Sequence, residues 1–308
     1  MLPGASERDV TSKTVGFVGL GIMGEPMANN LLDAGFPVVG HNRSPEAVDR
    51  LVENGGERAE TPAAAAERAD VVVTCLPDSE VVEEVVLGED GVAEGLSAGD
   101  AFVDTSTIKP TVAERLADEL GEMGVSVLDA PISGGEEGAI DGSLSIMVGG
   151  ETDDLSAQRD VLDAMGETVT HCGGHGAGQV TKACNQIVVS TTLQAISEAL
   201  VFAQQADADL EAVVEAISGG AAGCWALDNR APSMIRGDFE PGFFASYQYK
   251  DLRIATDAGQ AYGAPMPVTG VTHEMYKSMV ESGLGEDDNS GVIQVLERLA
   301  DAEARIGD

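Results

Sequence analysis

Lysine is nearly missing from this 308-residue chain. Five remain, Lys13, Lys109, Lys182, Lys250 and Lys277, and all bases together number 17 against 53 acids, a formal net charge of −36. A chain this poor in cations is not expected to bind nucleic acid or an anionic membrane surface, because both are held through clustered positive charge. The acids are spread along the whole sequence and not gathered in a tail, so the charge belongs to the surface of the fold. It suits a cytoplasm of very high salt, where a screening length of about 3 Å at 1 M removes the self-repulsion. A halophilic, cytoplasmic protein is expected. In such a chain each surviving lysine invites a specific reason.

Cysteine is scarce as well. Cys75, Cys172, Cys184 and Cys224 are scattered with no C-x-x-C pair, which leaves reduced thiols in a cytosolic protein as the simplest account. No segment has eighteen uninterrupted apolar residues, so no membrane span is expected. The polar start, Met1 to Lys13, lacks the apolar core of a signal peptide and reads as a disordered extension. His171, Cys172 and His175 lie together, but Gly173-Gly174 argues against the helix that would put two histidines on one metal. Other ligands are not evident nearby, and no metal is expected.

What is present begins at residues 16 to 24, Gly-Phe-Val-Gly-Leu-Gly-Ile-Met-Gly. A G-x-G-x-x-G pattern (Gly19, Gly21, Gly24) ends a short apolar strand, and a helical pattern follows from Ile22 to Ala34, stopping at Gly35. That context is what a dinucleotide-binding fold requires. Gly19 permits the tight turn, Gly21 lets the backbone approach a pyrophosphate, and Gly24 lets the helix pack on the strand. The helix N-terminus, with Leu20, Ile22 and Met23 beside the glycines, faces the negative charge. Binders of NAD usually place an acid at the end of the second strand, about 20 residues on, to take the ribose hydroxyls. Here that strand ends His41-Asn42-Arg43-Ser44, with no carboxylate before Glu46. Arg43 is suited to a 2′-phosphate, and Asn42 and Ser44 offer neutral hydrogen bonds, so NADP is favoured over NAD.

From Thr14 to about His171 short apolar runs alternate with amphipathic helical runs. The strands are expected at Thr14–Val18, Pro37–His41, Asp70–Cys75, Ala101–Asp104, Val125–Leu128, Leu144–Val148 and Glu167–Thr170. Helices between them include Pro45–Asn54, Pro110–Gly121 and Asp153–Met165. The first five strands read as a doubly wound sheet of the Rossmann type, with the others added at one edge. After His171 the strands stop. A long helix, Gln179 to about Ala206, leads to Leu210–Ile217, Trp225–Ile235, Ala245–Ala261, Val268–Glu281 and Gly291–Ala302. The fold class is therefore α/β followed by all-α, joined by a long helix. The expected parts are an extension over 1–13, a dinucleotide-binding domain over 14–175 and a helical domain over 176–308.

Ligands of such a sheet bind at the carboxyl ends of its strands. Three loops there are chemically rich: Cys75-Leu76-Pro77-Asp78, Asp104-Thr105-Ser106-Thr107 and Asp129-Ala130-Pro131-Ile132-Ser133-Gly134-Gly135. Ser133 with the backbone of Gly134 and Gly135 offers a small carboxylate cradle, or else a flexible turn. Lys182 stands in the first turn of the long helix, with Asn185 and Gln186 three and four positions on and so on one face. The positive end of the helix and burial would both lower its pKa from about 10.4 towards the range of a general acid/base.

These segments together resemble the β-hydroxyacid dehydrogenases, the family of 3-hydroxyisobutyrate dehydrogenase and tartronate semialdehyde (2-hydroxy-3-oxopropionate) reductase. The resemblance runs from Val15 to about Ala300. It rests on Gly16 to Met27, on Asp129-Ala-Pro-Ile-Ser-Gly-Gly135, on Gly176-Ala-Gly-Gln-Val-Thr-Lys-Ala-Cys-Asn-Gln186 and on Lys250-Asp251-Leu252. It implies Lys182 as proton donor or acceptor, with Ser133, Gly134 and Gly135 on the substrate carboxylate. It further implies Asn185 or Gln186 orienting the reacting oxygen and Lys250 facing the active site. Leu76, Pro77, Thr105 and Ser106 are implied around the cofactor, with Thr105 and Ser106 at the nicotinamide ribose.

Many members carry a second asparagine where this chain has Gln186; the Asn-Gln form resembles the tartronate semialdehyde reductases, as do Gly134–Ala139 and Ser143–Gly150. The substrate implied is a small carboxylate-bearing aldehyde or hydroxy acid, handled as a homodimer or homotetramer. Glyoxylate or succinic semialdehyde reduction stays open within the family, as does a non-catalytic dinucleotide sensor on the same fold. Imine reduction sits less well with a lysine acid, and 6-phosphogluconate oxidation resembles a much longer chain.

Overall fold

The computed structural model describes residues 13–306. The chain divides after Lys182 into two compact units. The extension expected over 1–13 lies outside the described residues except for Lys13, whose ammonium donates to the Asp160 carboxylate at 2.7 Å.

Among the described residues the first unit holds nine strands: β1 (Val15–Val18), β2 (Val38–His41), β3 (Glu57–Arg58), β4 (Val71–Thr74), β5 (Ala101–Asp104), β6 (Ser126–Asp129), β7 (Ile132–Ser133), β8 (Ser145–Gly149) and β9 (Thr168–Gly173). Their order is β3-β2-β1-β4-β5-β6-β8-β7, with β9 paired to β8. The six strands from β3 to β6 run parallel. β8 joins antiparallel through Asp129 and Gly149, while β9 runs parallel to β8. This is the doubly wound sheet with strands added at one edge, and its order reverses between β1 and β4, where such sheets bind ligands.

The central strands are short apolar runs because both faces are covered. Val71 and Val73 pack into one core with Phe17, Met27 and Leu31, while Val72 packs into the other with Phe102 and Leu116. Helices flank the sheet where the sequence starts and stops them. Pro45 and Pro110 open Pro45–Glu53 and Pro110–Glu122, and the Asp78 carboxylate accepts the Val81 N–H at the start of Ser79–Leu87. Helix Gly24–Asp33 ends at Gly35, whose φ of +92° suits the glycine that closes a helix.

The second unit is helical. After the long helix Ala177–Gln205 come Leu210–Ser218, Trp225–Asn229, Ala231–Arg236, Ala245–Tyr262, Pro267–Met279 and Ile293–Ala300, with a π turn at Val280–Leu284 and a 3₁₀ turn at Asn289–Val292. Its core gathers Leu193, Leu200, Leu227, Met234, Leu252, Tyr276 and Ile293. The Tyr276 hydroxyl, fully buried, donates to the Asn289 carbonyl at 2.9 Å.

Three expected helices are corrected. Trp225–Ile235 breaks at Arg230, because Pro232 has no N–H to continue the ladder. Asp153–Met165 divides at Gln158. The long helix begins at Ala177, not Gln179, so Lys182 stands in its second turn. That helix is long and apolar enough, by length and composition, to cross a membrane. It nevertheless carries Gln179, Lys182, Gln186, Ser190, Gln194 and Ser197 as buried polar side chains, the pattern of a core helix.

Candidate active site

The glycine loop after β1 separates three roles for one residue type. Gly19 has φ +100°, and a Cβ there would lie 2.3 Å from the Cys75 carbonyl oxygen. A Cβ on Gly24 would lie 1.9 Å from the Gly19 carbonyl oxygen, so the helix rests directly on the turn. A Cβ on Gly21 would meet nothing within 4 Å. Gly21 is exposed and its open side faces a cleft of about 620 Å³ lined by Leu20, Ile22, Asn42, Ser44 and Arg50. Such a cleft, at the turn of the first strand and with a backbone that leaves room for close approach, fits a dinucleotide.

Asn42 ties this loop to the end of β2: its side-chain oxygen accepts the Leu20 N–H at 3.0 Å, and its amide nitrogen donates to the Ser44 carbonyl at 3.1 Å. Arg43 and Ser44 are exposed at the same strand end. Glu25 enters the cleft from the helix, and Arg50 holds it through both Nε and Nη2 at 2.6 and 2.5 Å. No periodicity in the sequence announces that pair.

The loops after β4 and β5 are knitted together. Thr105 and Ser106 are buried. The Thr105 hydroxyl donates to the Thr74 carbonyl at 2.6 Å, and the Leu76 N–H donates to Ser106 Oγ at 2.8 Å. Pro77 beside them is exposed. Asp104 accepts from Thr74 Oγ1 and from the Ser106 N–H. Ser133 ends β7, and Gly134 and Gly135 follow at φ +146° and +68°, which only glycine adopts readily.

Lys182 is 6% exposed. The start of its helix is anchored inside the first unit: Asp129 accepts the N–H groups of Gly176 and Gln179, and the Gln179 amide bonds Ser106 O and the Ile108 N–H. Asp129, Gln179 and Asp104 lie within segments that the sequence marks, but the contacts each makes were not read from it. Their partners lie 2 to 73 positions away along the chain, and most of those contacts exist only once the strands are aligned.

The second unit holds a constellation of its own. Asn185 Nδ2 donates to Gln186 Oε1 at 2.7 Å, and Gln186 Nε2 donates to the buried Asp251 at 2.6 Å. The Lys250 ammonium lies 3.1 Å from the other Asp251 oxygen. Asp251 thus holds both Gln186 and Lys250, a role its place in Lys250-Asp251-Leu252 did not reveal. His171, Cys172 and His175 lie on or after β9 and each bonds a main-chain carbonyl. Among the described residues, no three His, Cys, Asp or Glu side chains are grouped to hold a metal ion.

This arrangement is that of a nicotinamide-dependent dehydrogenase, and comparison with known proteins specifies which. Residues 14–174 match the NAD-binding domain of 6-phosphogluconate dehydrogenase, and residues 176–296 match the NAD-binding domain of NADP-dependent 3-hydroxyisobutyrate dehydrogenase. The chain is 38% identical over 286 residues to 2-hydroxy-3-oxopropionate reductase of Escherichia coli, covering 93% of this chain and 98% of that one. It is 34% identical over 303 residues to mitochondrial 3-hydroxyisobutyrate dehydrogenase of Mus musculus, covering 96% and 90%. A solved 3-hydroxyisobutyrate dehydrogenase from Mycobacterium tuberculosis, with L-serine, superposes with a TM-score of 0.88 at 35% identity, covering 93% of this chain and 99% of that one. The chain belongs to the β-hydroxyacid dehydrogenase family and is an NAD(P)-dependent hydroxyacid dehydrogenase of the 3-hydroxyisobutyrate or tartronate semialdehyde type.

Proposed function

We propose that this chain is an NADP-preferring reductase of a small carboxylate-bearing semialdehyde, tartronate semialdehyde first, with Lys182 as its general acid/base. The observation that carries the reading is Lys182 itself, one of five lysines, kept and buried on a helix whose first turn is tied to the loops after β5 and β6. When bound, the nicotinamide supplies the hydride in reduction and takes it back in oxidation. Protonated Lys182 stabilises the negative charge that develops on the aldehyde oxygen and then donates its proton. In the other direction neutral Lys182 takes the hydroxyl proton. Ser133 and the backbone of Gly134 and Gly135 hold the substrate carboxylate and so fix the face presented. Asn185 orients the reacting oxygen, with Gln186 and Lys250 in the same machinery through Asp251. No step calls for a metal.

The NADP preference is supported by the exposed Arg43 at the end of β2 and the absence of an acid before Glu46. Gly19 to Gly24, Asn42, Ser44, Leu76, Pro77, Thr105 and Ser106 are assigned to the cofactor. The acid-rich composition supports a halophilic, cytoplasmic setting. Exposed Val188 and Phe202 on the long helix support association of copies as a homodimer or homotetramer.

The test is NADPH and NADH oxidation in about 2 M KCl, chosen to screen surface charge. Tartronate semialdehyde, methylmalonate semialdehyde, succinic semialdehyde and glyoxylate are compared side by side. The reading expects the highest kcat/KM for tartronate semialdehyde with NADPH. A best substrate of glyoxylate or succinic semialdehyde moves the chain to that branch. No turnover of any, with NADPH still bound, would point to a sensor.

A further inference from the structure

Among the buried acids that the mechanism does not use, Asp129 stands nearest in sequence to both the Ser133 loop and the start of the long helix. Asp129 ends β6, opens the loop that reaches Ser133, and is 3% exposed. Its Oδ1 accepts the Gly176 N–H at 2.7 Å and its Oδ2 accepts the Gln179 N–H at 2.9 Å. These are donors at the start of helix Ala177–Gln205 that have no partner within the helix. Three glycines make room for the carboxylate or receive it. A Cβ on Gly149 would lie 2.3 Å from Oδ1, and one on Gly178 would lie 2.8 Å from Oδ2. Gly176 supplies an N–H at φ +84°. A second tie joins the same turn to the cofactor side: Gln179 Nε2 donates to the Ser106 carbonyl at 2.8 Å, and Gln179 Oε1 accepts the Ile108 N–H at 3.0 Å. Lys182 follows Gln179 by three residues, less than one turn.

We propose that Asp129 is a positioning residue for Lys182: its ionised carboxylate locks the first turn of the helix, with Gln179 as the second tie, in the register that aims the lysine. The inference rests on the reading of Lys182 as the acid/base. It links the substrate loop, which Asp129 begins, to the residue that moves the proton.

The ionised form is the one that works, because two N–H donors need two acceptors. A protonated carboxyl, or an asparagine, offers one and turns a donor towards the other. Burial raises the Asp129 pKa to about 6, against the lowering effect of the two N–H groups and with a further push from Asp104. The other titratable groups near this anchor are Glu114, whose side chain packs beside Gly176, His175 on the Val127 carbonyl and His171 on the Gly150 carbonyl; Lys182 follows three residues after Gln179 on the same helix.

The experiment is kcat against pH, with cofactor and aldehyde acid saturating, for the wild type, Asp129→Asn, Gln179→Met and Lys182→Ala. A displacement of about 1 Å at the reacting group costs roughly 10²-fold. Asp129→Asn is expected to lose about that much kcat near neutral pH, to keep its KM for NADPH, and to lose the acid limb that the wild type shows near pH 6. Gln179→Met is expected to lower kcat in the same direction. Should Asp129→Asn retain kcat and the acid limb while only its melting temperature drops, Asp129 is a structural cap and the proposal fails. If that variant does not fold, a wild type without an acid limb, or Gln179→Met at full kcat, overturns it. An active Lys182→Ala sinks the acid/base reading as well; an inert Lys182→Ala beside a fully active Asp129→Asn sinks the positioning alone.

Discussion

Gly21 and Gly24 stand three residues apart in one loop, yet the same added methyl group has opposite consequences at the two. At Gly24 it would lie 1.9 Å from a carbonyl oxygen, so Gly24→Ala must displace the helix from the turn and cost about 1–3 kcal/mol of stability. At Gly21 it meets nothing of the protein, so Gly21→Ala should melt like the wild type and lose affinity for the dinucleotide. Thermal melts and cofactor titrations of the pair check this; equal destabilisation would contradict the roles assigned. Arg43 gives a second residue-scale prediction. Arg43→Ala should weaken NADPH by roughly 10-fold or more, as a charge-assisted pair of about 1.5–3 kcal/mol implies, and leave NADH unchanged; equal losses would remove Arg43 from the 2′-phosphate. The three glycines, Ser133 and Lys182 were legible in the sequence because each sits in a local pattern of turn, loop or helix spacing. Asp129, Gln179, Asp251 and the Glu25–Arg50 pair were not, since the meaning of each comes from a partner brought close by folding.

At the scale of elements, the parallel strands were readable because burial on both faces leaves uninterrupted apolar runs. β3 and β7, two residues each, are too short to carry a period, and pairing with a neighbour alone makes them strands. The helix that breaks at Arg230 shows how one missing N–H at Pro232 overrides an amphipathic pattern. The earlier start of the long helix matters for chemistry. In the second turn Lys182 lies past the reach of the helix dipole, which fades within the first turn, so the dipole effect expected from the sequence does not apply to it. The anchor has a stability signature whose sign is fixed. The Asp129 pKa of about 6 in the fold exceeds its ordinary 3.8, so the folded state binds a proton more tightly than the unfolded chain. The stabilisation from that proton is complete below about pH 3.8 and is lost as pH rises to about 6. The melting-temperature difference between wild type and Asp129→Asn, which cancels the other acids, should therefore move in favour of the variant between pH 4 and 7. A difference independent of pH would contradict the raised pKa.

For the whole molecule the dominant quantity is charge. With 53 acids and 17 bases, even the paired arginines sit among several acids, as Arg115 does between Glu83 and Glu119. Self-repulsion of this kind falls as the screening length shortens from about 10 Å at 0.1 M to about 3 Å at 1 M. The melting temperature should rise steadily with KCl over that range and beyond. A flat or falling curve would contradict the halophilic reading. Composition makes the charge legible, whereas which apolar side chains end up exposed, as Phe202 and Leu299 do, is decided by folding and is not contained in composition.

The most direct test of the central claim compares wild type and Lys182→Ala in about 2 M KCl, reading NADPH binding by titration and semialdehyde reduction by turnover. The account predicts unchanged NADPH binding and a loss in kcat of about 10²–10⁴-fold, the contribution of a general acid. A variant that binds NADPH and turns over at the wild-type rate would contradict it.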